Sequence, residues 1–379
     1  MKIAVLVSGG VDSSVALRLL HEQGHELEAF YLKIWLEDEL AYLGDCPWEE
    51  DLAYAQAVCD TIKVPLHVIP LQKEYWQQVV SYTIAAVRAG RTPSPDLLCN
   101  QRIKFGAFLE HIDDSFEKIA TGHYAQVAEI GPALCWPVGP APIRQAQGER
   151  TEVVTQAKQV ILLKAKDPVK DQTYFLSYLS QTQLNRLLFP IGCYLKSEVR
   201  ELATKFDIPN KSRPDSQGIC FLGKIKFADF VAHHLGKQQG DLIEFETGKK
   251  MGTHDGFWFY TVGQRKGLGL GGGPWFVVKK DPAKNIVYIS CTYHSDDKAR
   301  NEFDVESIHW ISGIESKKKD LTVKIRHGEH VYKCSFESSG IQRAHVKIDA
   351  QDQGLAPGQF AVLYDGEHCL GCAVISEKR

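Results

Sequence analysis

The chain has 379 residues, 44% of them hydrophobic and 24% charged, with a formal net charge of -3 at pH 7. That length is too great for one ordinary core, so two or three domains are expected, and the composition is ordinary for a soluble globular protein. The charge does not announce a nucleic-acid binder, although a bulk value leaves room for a local basic face.

Residues 2 to 7, Lys-Ile-Ala-Val-Leu-Val, form a short apolar run without alternation. Such a run suits a strand buried on both faces. It is too short for a signal peptide, and no apolar run reaches the roughly 18 to 20 residues of a membrane span. A cytoplasmic protein with no membrane partner is expected. A helix is predicted from Ser13 to about Glu22, closed by Gly24, and a strand over Leu27 to Trp35. Trp48 to Ile62 reads as a helix, Leu66 to Leu71 as a strand, Tyr75 to Arg88 and Ile103 to Ile112 as helices, and Lys118 to Thr121 as a strand. Trp76, Val80, Ile84 and Val87 fall at helical spacing and are expected in the core. Strands alternating with helices imply a parallel sheet, whose ligands sit at the carboxyl ends of its strands.

Residues 131 to 159 break this pattern with Pro132, Pro137, Pro140 and Pro142 and a polar run. They read as an insertion, either a loop or a hairpin. The α/β pattern is expected to resume at Val160 to Leu163, with helices over Tyr174 to Leu188, Ser197 to Phe206 and Phe227 to Leu235. After Gly240, short alternating strands and glycine turns predict a small all-β module or barrel, with strands over Leu321 to Ile325, Val331 to Phe336 and Phe360 to Leu363. These shifts place domains at 1–222, 223–282 and 283–379.

The first strand runs into Ser8-Gly9-Gly10-Val11-Asp12-Ser13-Ser14. Two glycines let backbone N–H groups face one concavity, and the following helix adds its positive end, which makes an anion site. Asp12 would repel phosphates unless a cation intervenes, and Mg²⁺ is the natural one. No lysine follows the second glycine, so this is not a Gly-Lys-Ser/Thr loop. The bland reading is a serine-glycine turn capping a helix. The loop resembles the signature of N-type ATP pyrophosphatases, which cleave ATP to AMP and pyrophosphate. That resemblance implies ATP contacts at Leu6, Val7, Ser8, Gly9, Gly10, Val11, Asp12 and Ser13, with Leu32 and Gly122 bordering the adenosine.

Ten cysteines are scattered along the chain, which does not read as a secreted disulfide framework, so each is by default a small buried hydrophobe. Two have unusual neighbours. Cys99 follows Ser94-Pro95-Asp96-Leu97-Leu98, and one helical turn brings Asp96 and Cys99 onto one face, with Arg102 and Lys104 close behind. Cys220 lies in Asp215-Ser216-Gln217-Gly218-Ile219-Cys220, a loop rather than a core strand. Either one alone is as well explained by packing; beside the anion loop, a functional pair is the better reading. Cys369-Leu370-Gly371-Cys372 is the one C-x-x-C, and it reads as structural because no second pair or helix start accompanies it.

Ser8 to Ser14, Pro95 to Asn100 followed by Ile103 to Gly106, Gly122 to Ala125, Lys170 to Leu176, Asp215 to Leu222 and Tyr260 to Gly269 occur in order. Together they resemble the tRNA-specific 2-thiouridylase, or MnmA (TrmU), family. The resemblance implies an α/β pyrophosphatase-loop domain (adenine-nucleotide α-hydrolase-like), a small central domain and a C-terminal all-β barrel. It implies ATP-dependent 2-thiolation of the tRNA wobble uridine, with Cys99 as nucleophile, Cys220 carrying a persulfide, Asp96 as acid/base and a transient Cys99–Cys220 disulfide. Partners are then tRNA and a sulfur donor, a cysteine desulfurase or relay protein, that loads Cys220. The sequence leaves open whether the persulfide attacks directly or Cys99 first releases hydrosulfide. By the same resemblance Ser94, Pro95 and Asp96 contact the target base, and Lys170, Asp171, Gln172, Arg326 and His327 contact tRNA. Asp171 and Thr173 are equally good helix-capping types, and Arg326 and His327 alone would read as exposed strand residues. The rival reading is a pyrophosphatase-loop synthetase that transfers nitrogen to an adenylated small molecule. A non-enzymatic tRNA-binding or sulfur-carrier module is the remaining alternative.

Overall fold

The computed structural model of the chain describes residues 1–35, 48–130, 159–215, 226–293, 295, 300–352 and 354–376. Cys220, the boundary near 222 and most of the 131–159 insertion lie outside them. The first apolar run folds as β1 (Lys2–Leu6). It is flanked on one side by β2 (Glu26–Lys33) and then β3 (Leu66–Pro70). On the other side lie β4 (Lys118–Thr121) and then β7 (Leu187–Leu188), and every pairing is parallel.

Alternation on β1 divides two cores. Ile3 and Val5 pack with Val15, Leu17, Val58 and Val199 from the helices Val11–Glu22, Trp48–Ile62 and Lys196–Lys205. Ala4 and Leu6 pack on the other face with Tyr75, Val79, Val80 and Phe108. Fully burying one such large side chain contributes about 1.5–3 kcal/mol, so these faces hold a short sheet together. The expected Tyr75–Arg88 helix is continuous from Gln72 to Arg88, with a π turn at Trp76–Val80. Val80 and Val87 are buried and Trp76 and Ile84 pack against them, as the spacing predicts.

Three expectations fail, two for local reasons and one through long-range pairing. The helix predicted over Ile103–Ile112 is a π turn, Cys99–Lys104, continuing the short helix Pro95–Leu98 and followed by a 3-10 turn at Ala107–His111. Gly106 separates them because the chain doubles back there: a Cβ would stand 2.2 Å from the Arg102 carbonyl oxygen. The helix predicted over Tyr174–Leu188 is broken into Thr173–Leu176, Gln181–Leu184 and strand β7. Ser180 and Gln183 form a capping box that starts a new helix at 181. The third concerns β5 (Gln126–Ile130) and β6 (Gln159–Leu163), an antiparallel pair flanking the insertion. Residues 160 to 163 were expected to resume the α/β sheet. Instead Leu162 and Leu163 pair with Cys369 and His368 near the C-terminus, where Leu162 is fully buried.

The middle of the chain forms a second sheet from β8 (Gly240–Glu244), β9 (Lys250–His254), β10 (Phe276–Asp281) and β11 (Ile286–Ser290), in the order β10-β11-β8-β9. The turn after Asp281 lies inside the β10–β11 pair, so a boundary at 283 would cut a hairpin. The end of the chain forms β12 (Glu302–Trp310), β13 (Leu321–Lys324), β14 (Tyr332–Gly340), β15 (Arg343–Ile348), β16 (Phe360–Asp365) and β17 (His368–Ile375). Their order is β12-β15-β14-β13-β16-β17, and β12–β17 pairing closes a six-stranded antiparallel barrel.

The barrel docks firmly on the α/β domain. Leu176 and Leu179 share one apolar cluster with Phe360, Val362, Tyr364, Cys369 and Cys372, and Phe230 of the helix Phe227–Leu235 joins it. Tyr174 donates its hydroxyl to the Phe360 carbonyl at 3.0 Å, and Thr92 N–H donates to the Pro357 carbonyl at 2.7 Å. Cys369 and Cys372 are free, buried thiols in this seam, and burial pushes Cys372 up to about 12. Neither has the exposure or the low pKa of a reactive thiol, which agrees with their structural reading.

Candidate active site

β2 and β4 lie on opposite sides of β1, so the chain switches direction at the carboxyl end of β1, where α/β sheets bind ligands. The Ser8–Ser14 loop occupies that point. Gly9 has φ +71°, and a Cβ there would stand 2.2 Å from the Asp51 carbonyl oxygen, so glycine is needed twice over. Ser13 Oγ accepts from Ser8 N–H at 3.2 Å, and both Ser13 and Ser14 hydroxyls donate to the Gly10 carbonyl. Asn210 donates to the Gly9 carbonyl at 2.7 Å and to Ser14 Oγ at 3.0 Å, and Arg213 donates to the same carbonyl at 2.9 Å. The loop is therefore fixed from outside as well as by its own hydroxyls.

Asp12 has a protein cation beside it. Lys196 Nζ lies 2.7 and 2.9 Å from its two carboxylate oxygens, and Tyr124 donates its hydroxyl to it at 3.0 Å. Lys196 also reaches Asp215 at 2.8 Å, and Asp215 takes Lys170 at 3.0 Å and Arg200 at 2.5 Å. Burial opposes ionisation of Asp215, but hydrogen bonds and charge from Lys196 and Lys170 outweigh it and hold its carboxyl well below the usual range. For Tyr124, burial and then the neighbouring Asp12 push the phenol far up, so it stays a donor.

The segment after β4 joins this loop to Cys99. Gly122 lies against the helix start, where a Cβ would stand 2.5 Å from Ser13 N. Tyr124 bonds Asp12, and the His123 ring sits 6.0 Å from that of Phe105, just past the turn that carries Cys99. Burial, and then Lys104, keep His123 neutral, and its Nδ1 is 2.7 Å from Thr121 Oγ1. Pro95 occupies the first helical position and sets Asp96 and Cys99 on one helical run. Cys99 is 1% exposed. Asn100 beside it donates to the Phe175 carbonyl at 3.0 Å. Leu32, near the carboxyl end of β2, packs half-buried against the same core.

The expected RNA contacts divide. Lys170 is partly exposed and paired with Asp215. Gln172 is held to the backbone of Tyr124 by two bonds of 2.9 Å. Asp171 turns inward: it accepts from Ala165 N–H at 3.1 Å and from the Thr173 hydroxyl, and pairs with Lys324 of β13 at 3.2 Å. With its side chain 2% exposed, it holds the seam in the free chain. Arg326 pairs with Asp352, to which Tyr332 also donates at 2.7 Å. His327 stacks on Phe175 with ring centroids 4.5 Å apart. Burial, and then Lys324, lower its pKa, while the charge of Asp96 acts in the opposite sense, so the barrel loop lies within electrostatic range of the Cys99 helix.

Comparison with known proteins agrees with this architecture along the whole chain. A tRNA methyl transferase HUP domain model matches residues 1–224, a tRNA methyl transferase PRC-barrel model 228–291, and an aminomethyltransferase beta-barrel model 300–375. The tRNA-specific 2-thiouridylase MnmA of Parabacteroides distasonis is 43% identical over 388 residues, covering 100% of this chain and 99% of its own. Those of Porphyromonas gingivalis and Bacteroides thetaiotaomicron are also 43% identical, over 100% and 99% of this chain and all of their own length. The chain belongs to the tRNA-specific 2-thiouridylase family. In this 2-thiouridylase chain, sequence reasoning missed Tyr124, Lys196, Arg200, Asn210 and Arg213 around the loop. One signal was present: Lys196 stands immediately before the helix predicted from Ser197, an end where a positive charge is disfavoured unless an anion is near.

Proposed function

We propose that this chain 2-thiolates the wobble uridine of tRNA, with the α/β domain (1–222) as the catalytic unit, a central domain that runs from 223 through the β10–β11 hairpin, and the C-terminal barrel, from β12 on, helping to hold the RNA. The observation that carries the reading is the segment Gly122–Tyr124, which touches the anion loop on one side and, through His123, Phe105 just past the Cys99 turn on the other. The loop and the Cys99 turn thus share one connecting segment, which supports a single site.

Residues Leu6 to Ser13 hold the ATP phosphates, Leu32 and Gly122 border the adenosine, and Ser94, Pro95 and Asp96 receive the flipped uridine. Asp12, a lone loop carboxylate beside phosphate oxygens, fits Mg²⁺, which would screen their charge when bound. The uridine C2 oxygen attacks the α-phosphorus and pyrophosphate leaves. The terminal sulfur of a Cys220 persulfide attacks C2 and AMP leaves. Cys99 thiolate then attacks the inner sulfur, which releases 2-thiouridine and leaves a Cys99–Cys220 disulfide for an external reductant. In the other order Cys99 first frees hydrosulfide, which attacks the same carbon. Both orders bring the two Cα atoms within about 7 Å at the disulfide step. The 1% exposure of Cys99 means that its cover must open first. Asp96 manages the proton of the thiol. Lys170, Gln172, Arg326 and His327 position the tRNA, and a donor protein reloads Cys220.

The test is incubation with unmodified tRNA, Mg·ATP and sulfide, followed by nucleoside mass spectrometry. ATP-dependent 2-thiouridine is expected. AMP and pyrophosphate without 2-thiouridine would keep the adenylation and sink the sulfur step. No AMP with any tRNA would favour the small-molecule synthetase reading.

A further inference from the structure

Lys196 is the first residue of the helix Lys196–Lys205, the end at which the helix field is positive and a cation is unwelcome. Yet its ammonium is nearly enclosed, with a side chain 16% exposed. It points at the first turn of a second helix, Val11–Glu22, through Asp12. The start of Lys196–Lys205 is itself capped by Asp167 and Glu198, so what meets at the anion loop is one helix N-terminus and one ammonium. Among the described residues Lys196, Lys170 and Arg200 face Asp12 and Asp215, and Asp167 accepts from the backbone of Lys196 and Lys170, so the cations are matched by carboxylates until a ligand displaces one. A helix N-terminus with a displaceable ammonium beside it fits a phosphate ligand.

We propose that Lys196 is a phosphate-binding residue that rests on Asp12 and Asp215 in the free chain and passes its hydrogen bonds to the pyrophosphate end of ATP. The proposal rests on the ATP reading above and adds to it the group that meets the leaving pyrophosphate. The exchange leaves no carboxylate stranded. Asp215 keeps Lys170 and Arg200, and Asp12 keeps the Tyr124 hydroxyl and its place for the metal ion. A lysine suits the task, since its compact ammonium carries three rotatable donors on a flexible stem. Pyrophosphate departs with more negative charge on its bridging oxygen than it had in ATP, so an ammonium there favours the transition state over the ground state.

The test is calorimetric titration of the full chain with Mg·ATP and, separately, AMP, with no tRNA. Lys196→Met is expected to bind ATP about 10- to 100-fold more weakly, the worth of one charged hydrogen bond, and AMP with unchanged affinity. Lys196→Arg should keep part of the ATP affinity. Unchanged ATP affinity in Lys196→Met, or an equal loss for ATP and AMP, would overturn the proposal. Mere neutralisation of Asp215 is tested by Lys196→Met/Asp215→Asn. Recovery of ATP binding in that double variant would also overturn it, whereas continued weakness supports a direct phosphate contact. If Lys196→Met melts early, Lys196→Gln is titrated in its place with the same two ligands. A wild-type chain that binds no ATP would refute the ATP reading itself, before any variant is compared.

Discussion

Two regions use the same kinds of charge to opposite ends. At the anion loop, Lys170, Lys196, Arg200, Asp12 and Asp215 have side chains 16 to 39% exposed, each cation sharing a carboxylate with another. At the seam between the α/β domain and the barrel, Lys324 and Asp171 are 5% and 2% exposed and sealed among apolar side chains. Half-open pairs gain little net energy because water screens them, so a ligand can replace a partner at small cost. A buried pair gains little over apolar packing, but losing one partner strands a charge. The first arrangement suits exchange of ligands, and the second fixes where the barrel sits.

The comparison is broken most directly by variants that separate chemistry from fold. Cys99→Ser and Cys220→Ser should each abolish thiolation, and leave tRNA binding intact, when a cysteine desulfurase with cysteine replaces sulfide as the sulfur source in the nucleoside assay. Full sulfur transfer by either would end the two-cysteine scheme. Next in size, Lys324→Met strands Asp171 and should cost about 3–5 kcal/mol in denaturant unfolding. Lys324→Met/Asp171→Leu should recover most of that. A single-variant loss as small as that of a surface pair would mean that water reaches the seam.

A smaller effect is expected at the loop. Gly122→Ala pushes a methyl group against Ser13 N, 2.5 Å away on the present backbone, and should weaken ATP binding more than it lowers stability. Equal affinity in that variant would move the nucleotide away from Gly122. The smallest effect is a pH slope. The pKa of His327 is lowered in the folded chain, chiefly by burial. The unfolded chain therefore takes up the proton first as pH falls through about 6.5, and stability drops with it. His327→Gln should flatten part of that decline, leaving the part due to His123, His234, His254 and His368, whose pKa values burial also lowers. Asp215 acts in the same sense but in a lower pH window. Its lowered carboxyl contributes stability above the unfolded value of about 3.9, lost only as pH falls through the lower folded value, so it adds no slope between pH 5 and 8.

Legibility followed sequence distance. The strand, loop and helix at residues 2 to 22 are contiguous, and their hydrophobic pattern and glycines carry the instructions locally. The helix over Phe227–Leu235 was read to the residue for the same reason. The Thr173–Leu188 stretch was misread because its apolar periodicity continues across a capping box that ends one helix and starts another. β6 was assigned to the wrong sheet because an apolar run shows that a strand is buried and leaves its partner open; its partner lies some 200 residues later, at His368 and Cys369.

The sequence by itself determined the anion loop, the Asp96–Cys99 helical turn and the order of α/β, central and barrel modules, since each depends on residues close together in the chain. Only the tertiary structure decided that Lys196 and Asp215 stand beside Asp12, that Asp171 pairs with Lys324, and that β6 extends the barrel sheet. Those placements depend on which distant groups can satisfy a buried charge or an open strand edge, and that choice is made by packing across the whole chain.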